Sequence, residues 1–347
     1  MTFESVATGD FKAPLKEAAE YHHAAFGNGK LCLFSRKYVD QKLYNWGHRI
    51  HYAGGYAIAY DPTSKKFDDV VEVPALDAFY SDLENAEEQI FTLAGTIYLL
   101  LTTAFGAEGG FIALHKWTGT QWERVASFQD AASIKAAQGS ESDENKAHLY
   151  WAVADGDHDG EKFILSATGG AQIQAHALKI TPGGATITPF AVINDDVNRM
   201  RGRPIGGFLA GGELYVSVGV QGCGFRWENG RLYTIDLATK EADEKMIDGD
   251  SSTFPTFCFS GPYLKTLSKK GEWLTVGGST QVGMCGSDFN AEIWHLTGAA
   301  TGGSIEWKKD DVSLPTGVPK EDFNAAYDEA SGVLYVVGGE AVHIKEI

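Results

Sequence analysis

The chain is poor in cysteine and in positive charge, and it lacks a long apolar run. Its four cysteines, Cys32, Cys223, Cys258 and Cys285, form no Cys-x-x-Cys pair in 347 residues. That excludes a zinc ribbon or a thioredoxin-type motif, and so few cysteines demand no oxidising compartment. No window of about 18 apolar residues occurs, so no membrane-spanning helix is expected. Lys and Arg number 29 against 46 Asp and Glu, a net charge of −17. A phosphate-bearing partner wants a basic face, so nucleic acid and anionic membranes are excluded as unspecific partners. The opening residues Met1-Thr-Phe-Glu-Ser-Val6 show no basic region followed by an apolar run. No secretory signal is therefore expected, and a cytoplasmic or a mature secreted protein fits equally. A Gly-x-Ser-x-Gly elbow, a phosphate loop and His-Glu-x-x-His are absent too.

Glycine is abundant, at 41 residues, and hydrophobic residues make up 44%. Together they describe a folded chain with many tight turns between short strands. Six stretches share one grammar. Each has a nearly continuous apolar strand, such as Leu31-Cys-Leu-Phe34, Ile97-Tyr-Leu-Leu-Leu101 or Val333-Leu-Tyr-Val-Val337. A strand of that kind is covered on both faces. An alternating strand follows, such as Ile58-Ala-Tyr-Asp61 or His176-Ala-Leu-Lys-Ile-Thr181, and then an outer strand opened by Phe67, Trp122 or Trp307. A further short segment precedes each apolar strand. The units recur about every 57 residues, and an all-strand repeat of that length predicts a β-propeller.

The expected fold is therefore an all-β, six-bladed β-propeller with four-stranded blades in a single domain. The blades fall roughly at 10–75, 76–130, 145–195, 203–250, 254–315 and 322–347, the last completed by 1–9. The last unit lacks an outer strand, and Phe3-Glu-Ser-Val6 has the missing pattern, so the amino-terminal strand is expected to close the ring. The rival architecture, a pair of β-sandwiches, is disfavoured by the regular spacing and by the lack of a linker. Val336-Val-Gly-Gly339, Val276-Gly-Gly278 and Ala59-Tyr-Asp-Pro62 resemble Kelch-type propeller repeats, which carry a double glycine, a Tyr-Asp-Pro turn and a later tryptophan. The resemblance implies the fold and transfers no active site.

Ligands of propellers usually bind where the loops joining second to third strands, and fourth strands to the next blade, converge on the channel. One such segment, 35–52, gathers Tyr38, Tyr44, Trp46, His48, Arg49, His51 and Tyr52. Aromatic faces beside Arg and His suit a sugar ring or an organic anion, and they equally serve to pack a loop onto the ring. Arg226 and Trp227 lie in a second long loop with Cys223, and Cys285 lies in the equivalent loop of the next unit. These two cysteines form a disulfide, a soft-metal pair or two buried thiols. Arg199, Arg201 and Arg203 precede the fourth unit. They either clamp a carboxylate, as a sialidase triad does, or pair with Asp195 and Asp196. Ser268-Lys-Lys-Gly-Glu-Trp273 is similar to a degenerate sialidase box.

Asp155-Gly-Asp-His-Asp-Gly160 matches the start of a calcium loop. It is similar to the calcium loops of integrin-like propellers, which implies a structural calcium ion on Asp155, Asp157 and Asp159. The alternative is a solvated acidic turn. His22 and His23 are adjacent on an innermost strand, so at most one looks into the channel. These features predict a binding module for a small molecule or glycan at the central mouth. Two alternatives stand beside it: a lyase or hydrolase acting on a carboxylated sugar or similar anion, and a protein-interaction scaffold. Oligomeric state is open.

Overall fold

The structure, a computed structural model, describes residues 2–7, 21–36, 43–44, 47–48, 54–76, 86–103, 110–130, 148–168, 172–194, 202–220, 231–245, 264–269, 272–277, 279–282, 286–289, 291–299, 304–316, 318, 323–338 and 341–347. Among these there is no α-helix; the chain is an all-β propeller. The first sheet is built from Tyr21–Gly27, Lys30–Arg36, Gly55–Asp61 and Lys66–Phe67, with Val71–Val73 also pairing on Gly55–Asp61. The second runs Ala86–Leu93, Thr96–Thr103, Phe111–Trp117, Trp122–Ser127. His148–Asp155, Glu161–Thr168, Gln172–Thr181 and Gly184–Asn194 form the third group, and Gly202–Ala210, Glu213–Val220, Arg231–Asp236 and Ala242–Lys245 the fourth. Leu264–Lys269, Glu272–Gly277, Ile293–Thr297 and Glu306–Lys309 form the next sheet. The last contains Asn324–Asp328, Val333–Gly338 and Ala341–Glu346, and Glu4–Ala7 lies at its edge.

In Gln172–Thr181 both faces are covered at mid-strand, Ile173, Ala175 and Ala177 on one and His176 and Leu178 on the other, while Gln172, Lys179 and Thr181 toward its ends are exposed. The apolar strands are buried on both faces: Leu31, Leu33, Leu100, Leu101, Ile164, Leu165, Leu334 and Val336 are almost wholly covered. Each sheet is too thin to bury them alone, so neighbours share the work. Leu33 and Tyr60 pack against Tyr335 and Val337 of the last sheet, and Phe34 packs against Ile97 and Trp117 of the second. Phe91 and Phe111 meet Trp151 and Ile164; Phe163 and Leu165 meet Val216 and Ile235. Phe208 and Tyr215 meet Trp273, and Leu274 and Val276 meet Leu334 and Val336. The series of shared cores returns to its start, which is a closed ring.

The amino-terminal strand closes that ring. Glu4 lies opposite Ile344 and Ala7 opposite Ala341 in an antiparallel pair. Ser5 Oγ is 2.8 Å from His343 Nδ1 across it, and Phe3 packs against the core between the last two sheets. One expectation needs correcting. The third and fourth groups are not separate sheets but one eight-stranded sheet, joined by a short parallel pairing of Ala154 with Gly207 and Asp155 with Phe208. The reason is local. Residue 207 sits between both neighbours: a Cβ there would lie 3.4 Å from Ala154 Cβ on the facing innermost strand and 2.6 Å from the Tyr215 carbonyl oxygen of its own group, so glycine is the residue that fits where the two groups meet.

Candidate functional site

The innermost strands of four sheets wall a cavity of about 850 Å³. Its lining includes His23 and Phe26 of the first sheet, Phe91 and Thr92 of the second, and Asp155, Asp157 and Lys162 of the third group. Tyr327, Asp328 and Glu329 of the last sheet complete it. Its rim is formed by the turns that join first to second strands, at Asn28-Gly29, Ala94-Gly95 and Asp157. The inner strands are tied to each other here. Thr92 Oγ1 donates to the Phe26 carbonyl at 2.8 Å, and the Asn28 amide to the Gly95 carbonyl at 2.8 Å.

Lys162 is the most buried charged group in the wall, 4% exposed. Its Nζ donates to the Gly156 carbonyl at 2.8 Å and lies 5.9 Å from the centre of the Phe91 ring. Burial pulls its pKa down, against the opposing pull of Asp155, Asp157 and Glu329. Asp155, the last residue of its strand, has a buried Oδ2 that meets no protein donor. Burial pushes its carboxyl up to about 7; Lys162 draws it down and Glu329 pushes it further up. Asp328 is occupied in its own turn, accepting from the Ala330 amide and the Ser331 hydroxyl. Asp157 and Glu329 are exposed at the rim. Among the described residues, the cavity therefore holds more carboxylates than lysines.

The acidic turn itself has a geometric explanation. His158 and Glu161 exchange backbone hydrogen bonds of 3.0 and 2.9 Å around Asp159-Gly160. Those two residues have φ of 51° and 74°. A two-residue hairpin of this hand selects Asp-Gly for its central positions. Asp159 is 89% exposed on its side chain, whereas Asp155 points a buried oxygen inward. Among the described residues, no three His, Cys, Asp or Glu side chains are grouped to hold a metal ion.

A second feature lies on the inner strands. His23 Nε2 is 3.2 Å from Glu88 Oε2, with side-chain exposures of 26% and 7%. His23 lines both the central cavity and a small pocket of about 40 Å³ beside Ser35, Tyr56 and Trp122. The sequence flagged the His22-His23 pair but not Glu88, which lies on the neighbouring sheet; no local spacing links the two.

Of the residues expected at the mouth, Tyr38, Trp46, Arg49, Tyr52, Arg199, Arg201, Arg226 and Trp227 lie outside the described residues, as do Cys223 and Cys285. Tyr44 and His48 are described only in their backbone. Tyr44 pairs with Gly47 and Leu43 with His48 in a short hairpin, within the segment joining the second and third strands of the first sheet. The segment carrying Asp155 and Asp157 joins first to second strands, and the described cavity opens at that end, opposite the end of the second-to-third strand loops where a ligand was expected.

No protein-family model matches the chain, and no curated protein matches it either. Among solved structures it is similar to the Hadza microbial sialidase Hz136, with a TM-score of 0.55 at 10% identity over 99% of this chain and 68% of that one. It is also similar to a sialidase of Trypanosoma rangeli, with a TM-score of 0.53 at 10% identity over 99% of this chain and 58% of that one. At such identity the likeness is one of fold.

Proposed function

We propose that this chain is a six-bladed propeller that binds a small polyhydroxylated ligand, a carbohydrate, in its central cavity. The observation that carries the reading is the cavity itself: about 850 Å³ at the ring's centre, with Lys162 and the unpaired Asp155 Oδ2 in its wall. That size matches the pockets of small-molecule sites, which pair area with a few fixed polar groups. Phe26 and Phe91 supply apolar area, and Thr92, Asp155 and Lys162 supply polar contacts. Six blades are counted because six groups of four or five strands alternate with six shared cores, although the third and fourth groups share a sheet. A Kelch-like relationship is part of the proposal and rests on the double glycines at 277–278 and 338–339 and on the Tyr60-Asp61-Pro62 turn. Tyr38, Tyr44, Trp46, His48, Arg49, Tyr52, Arg199, Arg201, Arg226 and Trp227 remain proposed as a second contact region. Calcium on Asp155, Asp157 and Asp159 remains a proposal from the sequence, tested by native mass spectrometry before and after chelation.

Titration calorimetry against a panel of neutral, amino and acidic monosaccharides and their oligomers tests the binding reading. A sugar should bind with an affinity that Lys162→Met weakens. A protein that binds none of the panel overturns it. The His23–Glu88 pair favours a second reading, a hydrolase or lyase in which His23 transfers the proton and Glu88 orients it. Turnover of chromogenic glycosides that His23→Ala abolishes would support that reading over simple binding.

A further inference from the structure

The charge balance of the central cavity says more about its ligand, on the reading that the ligand is a polyol. We infer that the cavity selects a cationic polyol, such as an amino sugar, over its neutral and carboxylated counterparts, with the ammonium seated against Asp155 Oδ2. Three observations carry this. Oδ2 of Asp155 is buried and has no donor from the protein, so it is an acceptor in need of a partner. The adjacent lysine does not satisfy it: Lys162 directs Nζ to the Gly156 carbonyl. Asp157 and Glu329 line the same cavity from the third group and the last sheet. Glu329 acts electrostatically on both Asp155 and Lys162, so the two walls share one field.

A ligand carboxylate entering past this rim meets Asp157 and Glu329 first and Asp155 at depth. Lys162 is its one described attractive partner, and that amine already spends one of its donors on the Gly156 carbonyl. A ligand hydroxyl can donate to Asp155, but an ammonium does so with charge assistance and offsets the desolvation of the carboxylate. The hydroxyls of the same ligand are left to Lys162, Thr92 and the backbone edges of the inner strands. Selection here is by sign of charge, built partly from repulsion of the wrong ligand.

The test compares D-glucosamine, D-glucose, D-glucuronate and ethanolamine by calorimetry at pH 7 and low salt. D-glucosamine should bind about tenfold or more tighter than D-glucose, the value of one charge-assisted contact. D-glucuronate should bind weakest. Asp155→Asn should bring D-glucosamine to the level of D-glucose, and the exposed rim variant Glu329→Gln should narrow the gap in part. The rim variant keeps the test decisive if the buried one fails to fold. Equal or tighter binding of D-glucose overturns the inference and leaves the carbohydrate reading standing. Ethanolamine binding as tightly as D-glucosamine overturns both, because hydroxyls then contribute nothing. Binding of none of the four also overturns both.

Discussion

Asp155 illustrates how a single side chain sets a pH dependence. Its carboxyl is raised from the ordinary carboxylate range to about 7 by burial. Between about pH 4 and 7 the folded protein therefore holds a proton that the unfolded chain has lost, and stability falls as pH rises through that window. Above pH 7 the cost is fully present, on the order of 2–4 kcal/mol. Asp155→Asn should remove that slope and raise stability at pH 8 in urea denaturation, while weakening ligand binding. A group kept at the expense of stability is common at functional sites. The opposite case is Asp310. Burial alone would raise its pKa, yet the ammonium of Lys345, the Val312 amide and His295 together hold it below the usual range. Its stabilising effect is present above pH 4 and is lost as pH falls through the lowered value. Lys345 is buried and paired with Asp310 of the preceding sheet. Asp310→Ala leaves that ammonium without its partner, and a loss of roughly 3 kcal/mol is expected from the urea midpoint.

At the scale of elements, the pairing of Ala154 with Gly207 is the join most open to test. Gly207→Ala forces a methyl to within 2.6 Å of the Tyr215 carbonyl oxygen and 3.1 Å of Leu165 Cδ1. Gly202–Ala210 must shift away from Glu213–Val220, and with it the Ala154 pairing, at a cost of about 1–3 kcal/mol, with faster hydrogen exchange along Gly202–Ala210. Gly183→Ala is the control, since nothing lies within 4 Å of an added Cβ there. The closing strand gives a second prediction. Burial lowers the pKa of His343, which faces Ser5. The unfolded chain then binds the proton first, so the closed ring loses stability as pH falls below about 6.5. Hydrogen exchange of the Ser5 and Val6 amides should rise at pH 5 before that of Gln172–Thr181.

These elements also mark what the sequence could and could not reveal. Apolar runs such as Leu31–Phe34 and the aromatic openings at Phe67, Trp122 and Trp307 are local patterns, so the strands and the closing role of Glu4–Ala7 were legible. The fusion of two sheets was not, because the parallel pairing of Ala154 with Gly207 and Asp155 with Phe208 joins strands of different units and leaves no local pattern. The acidic turn was legible as carboxylates, yet Asp159-Gly160 answers to hairpin geometry, and only Asp155 and Asp157 reach the cavity. The His23–Glu88 contact joins strands of different sheets, and no spacing rule predicts it.

For the whole molecule, the net charge of −17 surrounds a cavity whose own rim is acidic. Such a field draws cations toward the ring and is screened within about 10 Å at 0.1 M salt. Affinity for D-glucosamine should fall as salt rises from 50 to 500 mM, while that for D-glucose should hardly change. A salt-independent amine affinity would mean that the distant charges play no part.

The pairing of Glu4 with Ile344 and Ala7 with Ala341 also fixes how the ring answers tension. Residues 3 and 347 leave this strand pair on the same side. A pull applied between them loads the hydrogen bonds one after another, like a zipper, instead of shearing them together. The ring's weakest seam under force is thus its own closure. In an optical trap, handles at residues 3 and 347 should release Glu4–Ala7 in a small first step at low force. The remaining sheets should yield later, each losing the neighbour that covered its face.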